Sequence, residues 1–476
     1  MKLRALSLDA LRGYAIITMV LSGQMLLNHL PAWMAHAQVP PGRGFTPDIY
    51  GITWVDLVFP FFLFAMGAAF PFSIGNKLSK GVNKLKVCWD ALIRGVQLVF
   101  FAIFFHHMMP HIISKPVDIY SCVLSMVAFA LMFLMFMHID IPKLKNTKYA
   151  SLGSWSVKIA AFVAAYILMN CLTYEGKATP GFDPAFSNII LIVLANMAVF
   201  GTVIYVFTWK KPIYRLAVLP FVMAIFLASG TDGWVKELYN YSPVPWAYKF
   251  YYLKYLFIVI PGSIAGEYLF DWLSNHQKEQ DVPTTSRSNV QALGMTVLSL
   301  ALIVSNTALL FTRQLELNLL ITIVLLIAVY FVLKMNTNSF SVFWKRLYVA
   351  GTYCLMLGLF LEAYEGGIRK DPSTYSYYFV TAGLAFFALI FFSAVCDYFK
   401  CIKSTKFLVM SGQNPMIAYV ATTLVVVPLL RITHIYDFST VFEDGAFMGF
   451  LRGVILTTFT VLITMFFTKI KWFWRT

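Results

Sequence analysis

Charged residues are scarce in this chain of 476 amino acids. Only 12% of the residues are Asp, Glu, Lys or Arg, which is about half the share found in soluble domains. Hydrophobic residues make up 59% and aromatic residues 17%, a composition typical of helices that face lipid and its interfaces. This excludes a soluble globular protein. The sequence predicts an all-α, polytopic integral membrane bundle of about 12–14 transmembrane helices.

Acidic residues are the scarcer charged class, with 22 against 37 basic residues and a net charge of +15. The basic side chains lie in small clusters between apolar runs and form no stripe with interleaved aromatics, so we expect no nucleic-acid partner. Short basic clusters are typical of the cytoplasmic ends of membrane spans. The expected partner is therefore the lipid bilayer.

The cysteines show no CxxC motif and no paired spacing, which predicts neither a disulfide framework nor a metal site. Three histidines cluster in "FFHHMMPHI" (Phe104–Ile112), but no carboxylate or cysteine pattern accompanies them. We interpret that cluster as interfacial rather than metal-binding. The six cysteines are Cys88, Cys122, Cys171, Cys354, Cys396 and Cys401.

The N-terminal stretch "MKLRALSLDALRGYAIITMVLSGQ" has the basic start and apolar run of a secretory signal. Asp9 and Arg12 interrupt the start of that run, and the small-residue sequence "AHA" lies far beyond its end. We therefore expect a retained first transmembrane helix rather than a cleaved signal.

About fourteen segments are apolar over the roughly 20 residues that a spanning helix needs. Alternate loops between them are lysine-rich, as around Lys77, Lys145, Lys210, Lys278 and Lys403, whereas the other loops hold histidines, acids and aromatics. This alternation predicts an even number of spans with both termini cytoplasmic; in a bacterial host the membrane would be the inner (cell) membrane. The segments centre on residues 8–28, 53–73, 89–108, 118–137, 156–173, 187–208, 213–229, 250–270, 291–311, 317–334, 345–363, 376–396, 408–430 and 447–468.

No soluble domain interrupts this series, so residues 1–476 are predicted to form a single transmembrane domain. The longest polar stretch, "SNHQKEQDVPTTSRSN" at 274–289, is predicted to be a cytoplasmic linker between halves 1–273 and 290–476. The sequence leaves the oligomeric state open, and a homodimer is one alternative.

Ionisable groups beside or inside spans are costly and therefore mark candidate functional sites. Asp9 and Arg12 are three residues apart, so they share a helix face at the cytoplasmic mouth of the first span. The alternative is a positive-inside anchor with a neutralising partner.

Asp56 opens the second span and can orient the external His36, as a carboxylate fixes an imidazole tautomer. The alternatives are a helix-capping carboxylate and a solvated loop histidine.

Two later stretches also carry polar groups into apolar surroundings. "EAYEGGIRKDPSTYSYYFV" (Glu362–Val380) mixes acids, bases and tyrosines, which suits either an interfacial belt or a sugar-recognition surface. In "MSGQNPMIAY", Gln413 and Asn414 precede a proline, which predicts an interrupted helix with amides facing a cavity or the bundle interior.

The motif "SLDALRG", a histidine followed by alanine, and "DLVFPFFLFAMG" together resemble the opening of the heparan-α-glucosaminide N-acetyltransferase family of polytopic transmembrane acyltransferases. "SYYFVTAGLAFF", "GQNPMIAY" and the basic, Trp-containing C-terminus are similar to that family's last spans. The similarity covers about the first 75 residues and the last hundred.

The resemblance implies transfer of an acetyl group from cytosolic acetyl-CoA to an amino sugar or glycan beyond the membrane, with no metal. It places the active histidine at His36 and its aspartate at Asp56. It also carries the family's initial Asp and Arg onto Asp9 and Arg12, and its late asparagine onto Asn414. Whether the histidine acts as a base or carries the acetyl group stays open, and His29 is the alternative base.

This chain departs from the family pattern by a longer insertion, "PPGRGFTPDIYGIT", before Asp56, and by "SGQ" (Ser22–Gln24) at the end of the first span. We therefore expect acceptor selectivity to involve the insertion and Gln24. The basic groups Arg12 and Arg94 suit the phosphates of the acetyl donor. A secondary transporter of a small anion or sugar is the alternative function, and a scaffold in envelope polysaccharide assembly is a third.

Overall fold

The computed structural model of the protein describes residues 5–26, 30–137, 149–276, 286–437 and 445–474. These residues form helices and no β-strand; an isolated bridge joins Met137 to Trp474. The long helices are α1 Leu6–Gln24, α2 Trp54–Ser79, α3 Lys84–His107, α4 Ile119–Phe136, α5 Tyr149–Cys171, α6 Ile189–Phe207, α7 Pro212–Ala228, α8 Leu256–His276, α9 Ser286–Phe311, α10 Leu315–Lys334, α11 Ser339–Tyr364, α12 Tyr375–Tyr398, α13 Ile402–Gln413, α14 Pro415–Ile432 and α15 Ala446–Lys469.

Eleven helices of the described residues are long and apolar enough to cross a membrane. Two further apolar helices, α7 and the Trp155–Cys171 part of α5, are shorter than 18 residues. Together with α1, these helices overlap all fourteen segments predicted from the sequence. The predicted polytopic, all-α membrane bundle is therefore confirmed.

If the helices cross the membrane in turn, the lysines of alternate loops lie at one face of the bundle, called the lysine-rich face below. Contacts at this lysine-rich face include the Lys77–Asp90 ion pair of 2.9 Å, which joins the end of α2 to the start of α3. Three predicted basic positions, Lys143, Lys145 and Lys148, lie outside the described residues, as do Lys278 and positions 277–285 of the predicted linker.

Helix α12 lies at the centre of the bundle and is the most enclosed of the candidate spans. It packs against α2, α8, α9 and α11, so helices from both predicted halves share one apolar core. At the periphery, α9 and α10 are joined by a buried amide pair in which Asn318 donates to Asn306, and Asn306 donates to Thr322. Such interhelical hydrogen bonds are common within membrane bundles because lipid offers no alternative partner.

Glycines let helices α1 and α13 approach each other to backbone contact. A Cβ atom on Gly13 would lie 1.8 Å from the Leu408 carbonyl oxygen, and one on Gly412 would lie 1.9 Å from the Asp9 carbonyl oxygen. Helices α1 and α13 can therefore cross this closely only because both positions lack a side chain.

The predicted interruption of the helix at 408–430 is confirmed. Helix α13 ends at Gln413, Asn414 leaves the helical conformation with φ −132° and ψ 55°, and Pro415 begins α14. Beyond α15 the chain folds back, and the side chain of Trp474 is buried among phenylalanines of α3 and α4.

Candidate functional site

The site begins with the carboxylate of Asp56 in the first turn of α2. Its Oδ2 atom accepts hydrogen bonds from the Thr53 backbone N–H at 3.0 Å, the Thr53 hydroxyl at 3.2 Å and the Ala37 N–H at 3.2 Å. A carboxylate in this position satisfies backbone donors left free at a helix start and interacts favourably with the helix dipole. Asp56 thus holds the preceding loop against α2.

The other carboxylate oxygen faces the predicted histidine. Oδ1 of Asp56 lies 2.6 Å from Nδ1 of His36, so the predicted pairing of these two residues is confirmed. The Asp56 side chain is 2% exposed and that of His36 is 39% exposed. An Nδ1–H that donates to the carboxylate leaves Nε2 as the basic nitrogen of neutral imidazole. Nε2 has no hydrogen-bond partner within the described part of the chain.

A lysine from the far end of the sequence completes this group. Nζ of Lys370 lies 3.3 Å from Nδ1 of His36 and 4.0 Å from Oδ1 of Asp56. An ammonium group can only donate, so with Nδ1 protonated its interaction is with the charge of Asp56. Next to Lys370, the Gln38 amide donates to the Asp371 carbonyl at 2.9 Å and accepts from the Asp371 N–H at 3.1 Å. This double contact fixes the segment that carries Lys370 beside the segment that carries His36.

Pro60 and Tyr377 support the start of α2 from inside the bundle. Pro60 has no N–H, so the carbonyl of Asp56 lacks its usual partner four residues later. The hydroxyl of the fully buried Tyr377 donates to that carbonyl at 2.9 Å. The carbonyl that Pro60 leaves without its usual N–H therefore has a specific compensating donor on α12.

The inserted loop before Asp56 is held by the ends of α9 and α11. The guanidinium groups of Arg313 and Arg369 both lie over the ring of Tyr50, 5.7 Å and 5.4 Å from its centroid. The N–H of Gly51 donates to the Ile368 carbonyl at 2.7 Å, and Gly51 has a φ of +119° that other residues rarely adopt. Part of the polar stretch Glu362–Val380 thus packs against the insertion.

Arg12 lies where α1, α2 and α13 cross, further along α2 than the His36–Asp56 pair. Its guanidinium group donates to the carbonyls of Gly412 at 3.2 Å and Ala65 at 3.5 Å, and pairs with Asp9 at 3.5 Å. The Gly412 carbonyl is available because α13 ends at the next residue. The predicted Asp9–Arg12 pair is confirmed, and its arginine also holds three helices together.

The other predicted binding residues differ in their surroundings. Arg94 is exposed on α3 and lies within electrostatic range of Arg12. Gln413 is half-buried at the end of α13, and Gln24 is half-buried at the end of α1. The predicted fallback base, His29, lies outside the described residues.

Asn414 is only 1% exposed and does not face an open cavity. Its amide nitrogen donates to the Trp472 carbonyl at 2.8 Å, and its oxygen accepts from the Trp474 N–H at 3.4 Å. Both ends of the amide therefore hold the C-terminal segment. Of the two environments predicted for this residue, the structure shows the bundle interior.

A family model described as a domain of unknown function, DUF5009, matches residues 4–269, which is more than half of the chain. The chain belongs to the DUF5009 family. No curated protein sequence matches it. The DUF5009 region contains His36, Asp56, Arg12 and Arg94, whereas Lys370 and Tyr377 lie beyond its end.

The three-histidine cluster of this DUF5009 protein is separate from the site. The ring of His107 packs against Tyr174 and Phe182, and its Nδ1–H donates to the Ile103 carbonyl at 2.9 Å. Burial, aided by the charge of Arg431, lowers the pKa of His111. Among the described residues, no group of three His, Cys, Asp or Glu side chains is arranged to hold a metal ion.

Sequence reasoning thus identified the His36–Asp56 pair but not the roles of Lys370, Gln38 and Tyr377. Lys370 was visible only as part of a polar stretch, and Tyr377 resembled any interfacial tyrosine. Nothing in the local pattern of either residue indicates that it reaches α2.

Proposed function

We propose that this protein is a membrane-bound acyltransferase that moves an acetyl group from cytosolic acetyl-CoA to an amino sugar or glycan. The observation that carries the proposal is the His36–Asp56 pair, in which a buried carboxylate holds Nδ1 and leaves Nε2 of a part-exposed imidazole unengaged by the described residues. The acceptor side is the lysine-poor face, which would be periplasmic in a bacterial inner membrane.

The chemistry needs one nitrogen in a defined tautomer. As the acceptor amine or hydroxyl attacks the thioester carbonyl, Nε2 of His36 takes its proton. The carbon–sulfur bond then breaks, and the imidazolium returns the proton to the departing thiolate. If the acetyl group is instead carried on the enzyme, the same Nε2 attacks the thioester carbonyl, and the carbon–sulfur bond breaks to release CoA thiolate. The acceptor then attacks the acetyl-imidazole, takes the acetyl group, and gives up its proton as the neutral imidazole is restored. Positioned general-base help contributes about 10²–10⁴-fold to such reactions.

Helix α2 connects this nitrogen to the predicted donor-binding residues. His36 contacts α2 at Asp56, and Arg12 contacts it at Ala65, nine residues further along. At 1.5 Å per residue the two contacts are about 14 Å apart along the helix. An extended pantetheine arm would bridge this interval if the phosphates of acetyl-CoA bound beside Arg12 and Arg94, whose guanidinium groups suit phosphate oxygens.

The test is acetyl transfer by the purified chain in proteoliposomes, with labelled acetyl-CoA and glucosamine. We expect His36→Ala to lose about 100-fold or more of the rate. His434→Ala is the matched control, because His434 is exposed beyond the end of α14, where it pairs with Asp437 at 3.1 Å. Full transfer by His36→Ala overturns the proposal. Sugar uptake that needs no acetyl-CoA, without any transfer, replaces it with the transporter alternative.

A further inference from the structure

A long apolar groove opens on the bundle between α7, α8, α11 and α12. It encloses about 920 Å³. The helix α7 that forms one wall is short, and only Arg215, Leu219 and Val222 of its residues are buried, so it covers α11 incompletely. Neither the His36 site nor the Arg12 site contributes a side chain to this lining.

The dimensions of the groove match one leaflet of a membrane. Along α11 the lining beyond Arg346 runs from Val349 to Leu361, which is about 18 Å at 1.5 Å per residue. Along α7 it runs from Pro212 to Met223, about 16 Å. One leaflet of a bilayer is about 15 Å deep. The part of the groove where α7 and α11 both contribute to the lining thus has the length of the acyl chains of one leaflet.

One end of the groove is cationic. Lys345 and Arg346 line it at the lysine-rich face, and Lys210 and Lys211 directly precede α7 at the same face. Asp271 is the acidic neighbour, 3.8 Å from Arg346, and the ring of Tyr268 lies 5.7 Å from the same guanidinium. Lys345 has no ion-pair partner within the described ranges of the chain.

The charge behind this rim is already neutralised. Arg215 on α7 is 1% exposed and pairs with Glu267 at 2.7 Å, and it also donates to the Ser263 hydroxyl at 3.0 Å. The exposed cations of the rim therefore exceed the acidic groups available to them. A rim with more cations than acids, next to an apolar groove, complements an amphiphile with an anionic head and long chains.

We propose that this groove binds an anionic glycerophospholipid, with an acyl chain along α11 and its phosphate at Lys345 and Arg346. The site is independent of the proposed acetyl transfer. Lys345 and Arg346 fall in the first two turns of α11, where the phosphate layer of the adjoining leaflet would lie. Basic residues at this level attract anionic headgroups.

The experiment measures binding of dioleoylphosphatidylglycerol and dioleoylphosphatidylcholine to the full chain in a neutral detergent, by native mass spectrometry. Since the chains are identical, a difference between the lipids reports the headgroup. We expect phosphatidylglycerol to bind more tightly, and the double variant Lys345→Gln/Arg346→Gln to weaken that binding about 30-fold, the loss expected for two cationic contacts. The control is Lys403→Gln/Lys406→Gln, exposed on α13 at the same face and outside the groove.

Ala350→Trp fills the middle of the groove, so it tests binding of the lipid acyl chain separately from binding of the headgroup. We expect it to weaken both lipids while the helical circular dichroism stays unchanged. Equal binding of the two lipids overturns the headgroup assignment, and equal losses in the rim and control variants overturn the location. If Ala350→Trp leaves lipid binding intact and instead changes the oligomeric state, the occupant is a second copy of the chain and the proposal is wrong.

Discussion

Lys370 places its ammonium group 3.3 Å from Nδ1 of His36, although the two residues are 334 positions apart in the sequence. The same ammonium lies 4.0 Å from the carboxylate of Asp56, which is nearly inaccessible to solvent. The cation offsets the negative charge of the buried Asp56 carboxylate. Lys370 is therefore a positioning residue that supports the carboxylate holding Nδ1 of His36.

Replacing Lys370 by Met tests this electrostatic role. Without the cation, the buried carboxylate of Asp56 loses its counter-charge and holds His36 less well, so acetyl transfer should fall by about 10-fold at an unchanged KM for acetyl-CoA. Lys370→Arg keeps the charge and should keep the rate. A Lys370→Arg variant as slow as Lys370→Met would show that the lysine acts only through packing.

Asp56→Asn separates orientation of the histidine from support of the loop. If the remaining oxygen accepts from Thr53 and Ala37, the new amide nitrogen faces Nδ1 and donates to it, which moves the imidazole proton to Nε2. We expect acetyl transfer to fall by about 100-fold or more with little change in melting temperature. Asp56→Ala should lose stability as well, since the loop N–H groups lose their acceptor. Equal activity of Asp56→Asn and the wild type would contradict the dyad.

The compensation between Pro60 and Tyr377 predicts a coupled pair of substitutions. Tyr377→Phe leaves the buried Asp56 carbonyl without its donor, and we expect a loss of about 1–3 kcal/mol in the free energy of unfolding. In a Pro60→Ala background the new N–H can reach that carbonyl, so the same tyrosine substitution should cost less. Additive effects in this double-mutant cycle, measured by denaturation in detergent, would show that the two residues act independently.

Two glycines of α1 provide a matched test of the α1–α13 crossing. Gly13→Ala drives a methyl group into the Leu408 carbonyl and should destabilise the bundle by about 1–3 kcal/mol. No atom lies within 4 Å of the equivalent Cβ position on Gly23. Gly23→Ala should therefore stabilise α1 by roughly 0.5–1 kcal/mol through helix propensity. The melting temperatures of the two variants should move in opposite directions, and a common direction would refute the packing argument.

Two exposed native cysteines test the predicted orientation. Cys171 ends α5 at the lysine-poor face, and Cys401 precedes α13 at the lysine-rich face. If both termini are cytoplasmic, a membrane-impermeant maleimide applied to intact spheroplasts should label a variant that retains only Cys171. The variant that retains only Cys401 should react only after the membrane is opened. The reverse pattern would invert the bundle.

Much of the architecture follows from local properties of the sequence. Each predicted span overlaps a helix because about 20 apolar residues must satisfy their backbone groups within the segment when no water is present. The break before Pro415 and the Asp9–Arg12 pair were equally local. The His36–Asp56 contact was also predictable, since one loop of limited length joins the histidine to the helix start.

The remaining parts of the site depend on how distant helices pack. Lys370 and Tyr377 reach α2 because α12 occupies the centre of the bundle, and Arg12 reaches the Gly412 carbonyl because glycines let α1 and α13 touch. Asn414 was predictable as an amide at a helix break, but its partners lie in the returning C-terminal segment. Hydropathy specifies which segments form the long apolar helices, and the charge of the loops predicts their direction. The neighbours of each span are decided by side-chain volume and hydrogen bonding between helices, which no local pattern records.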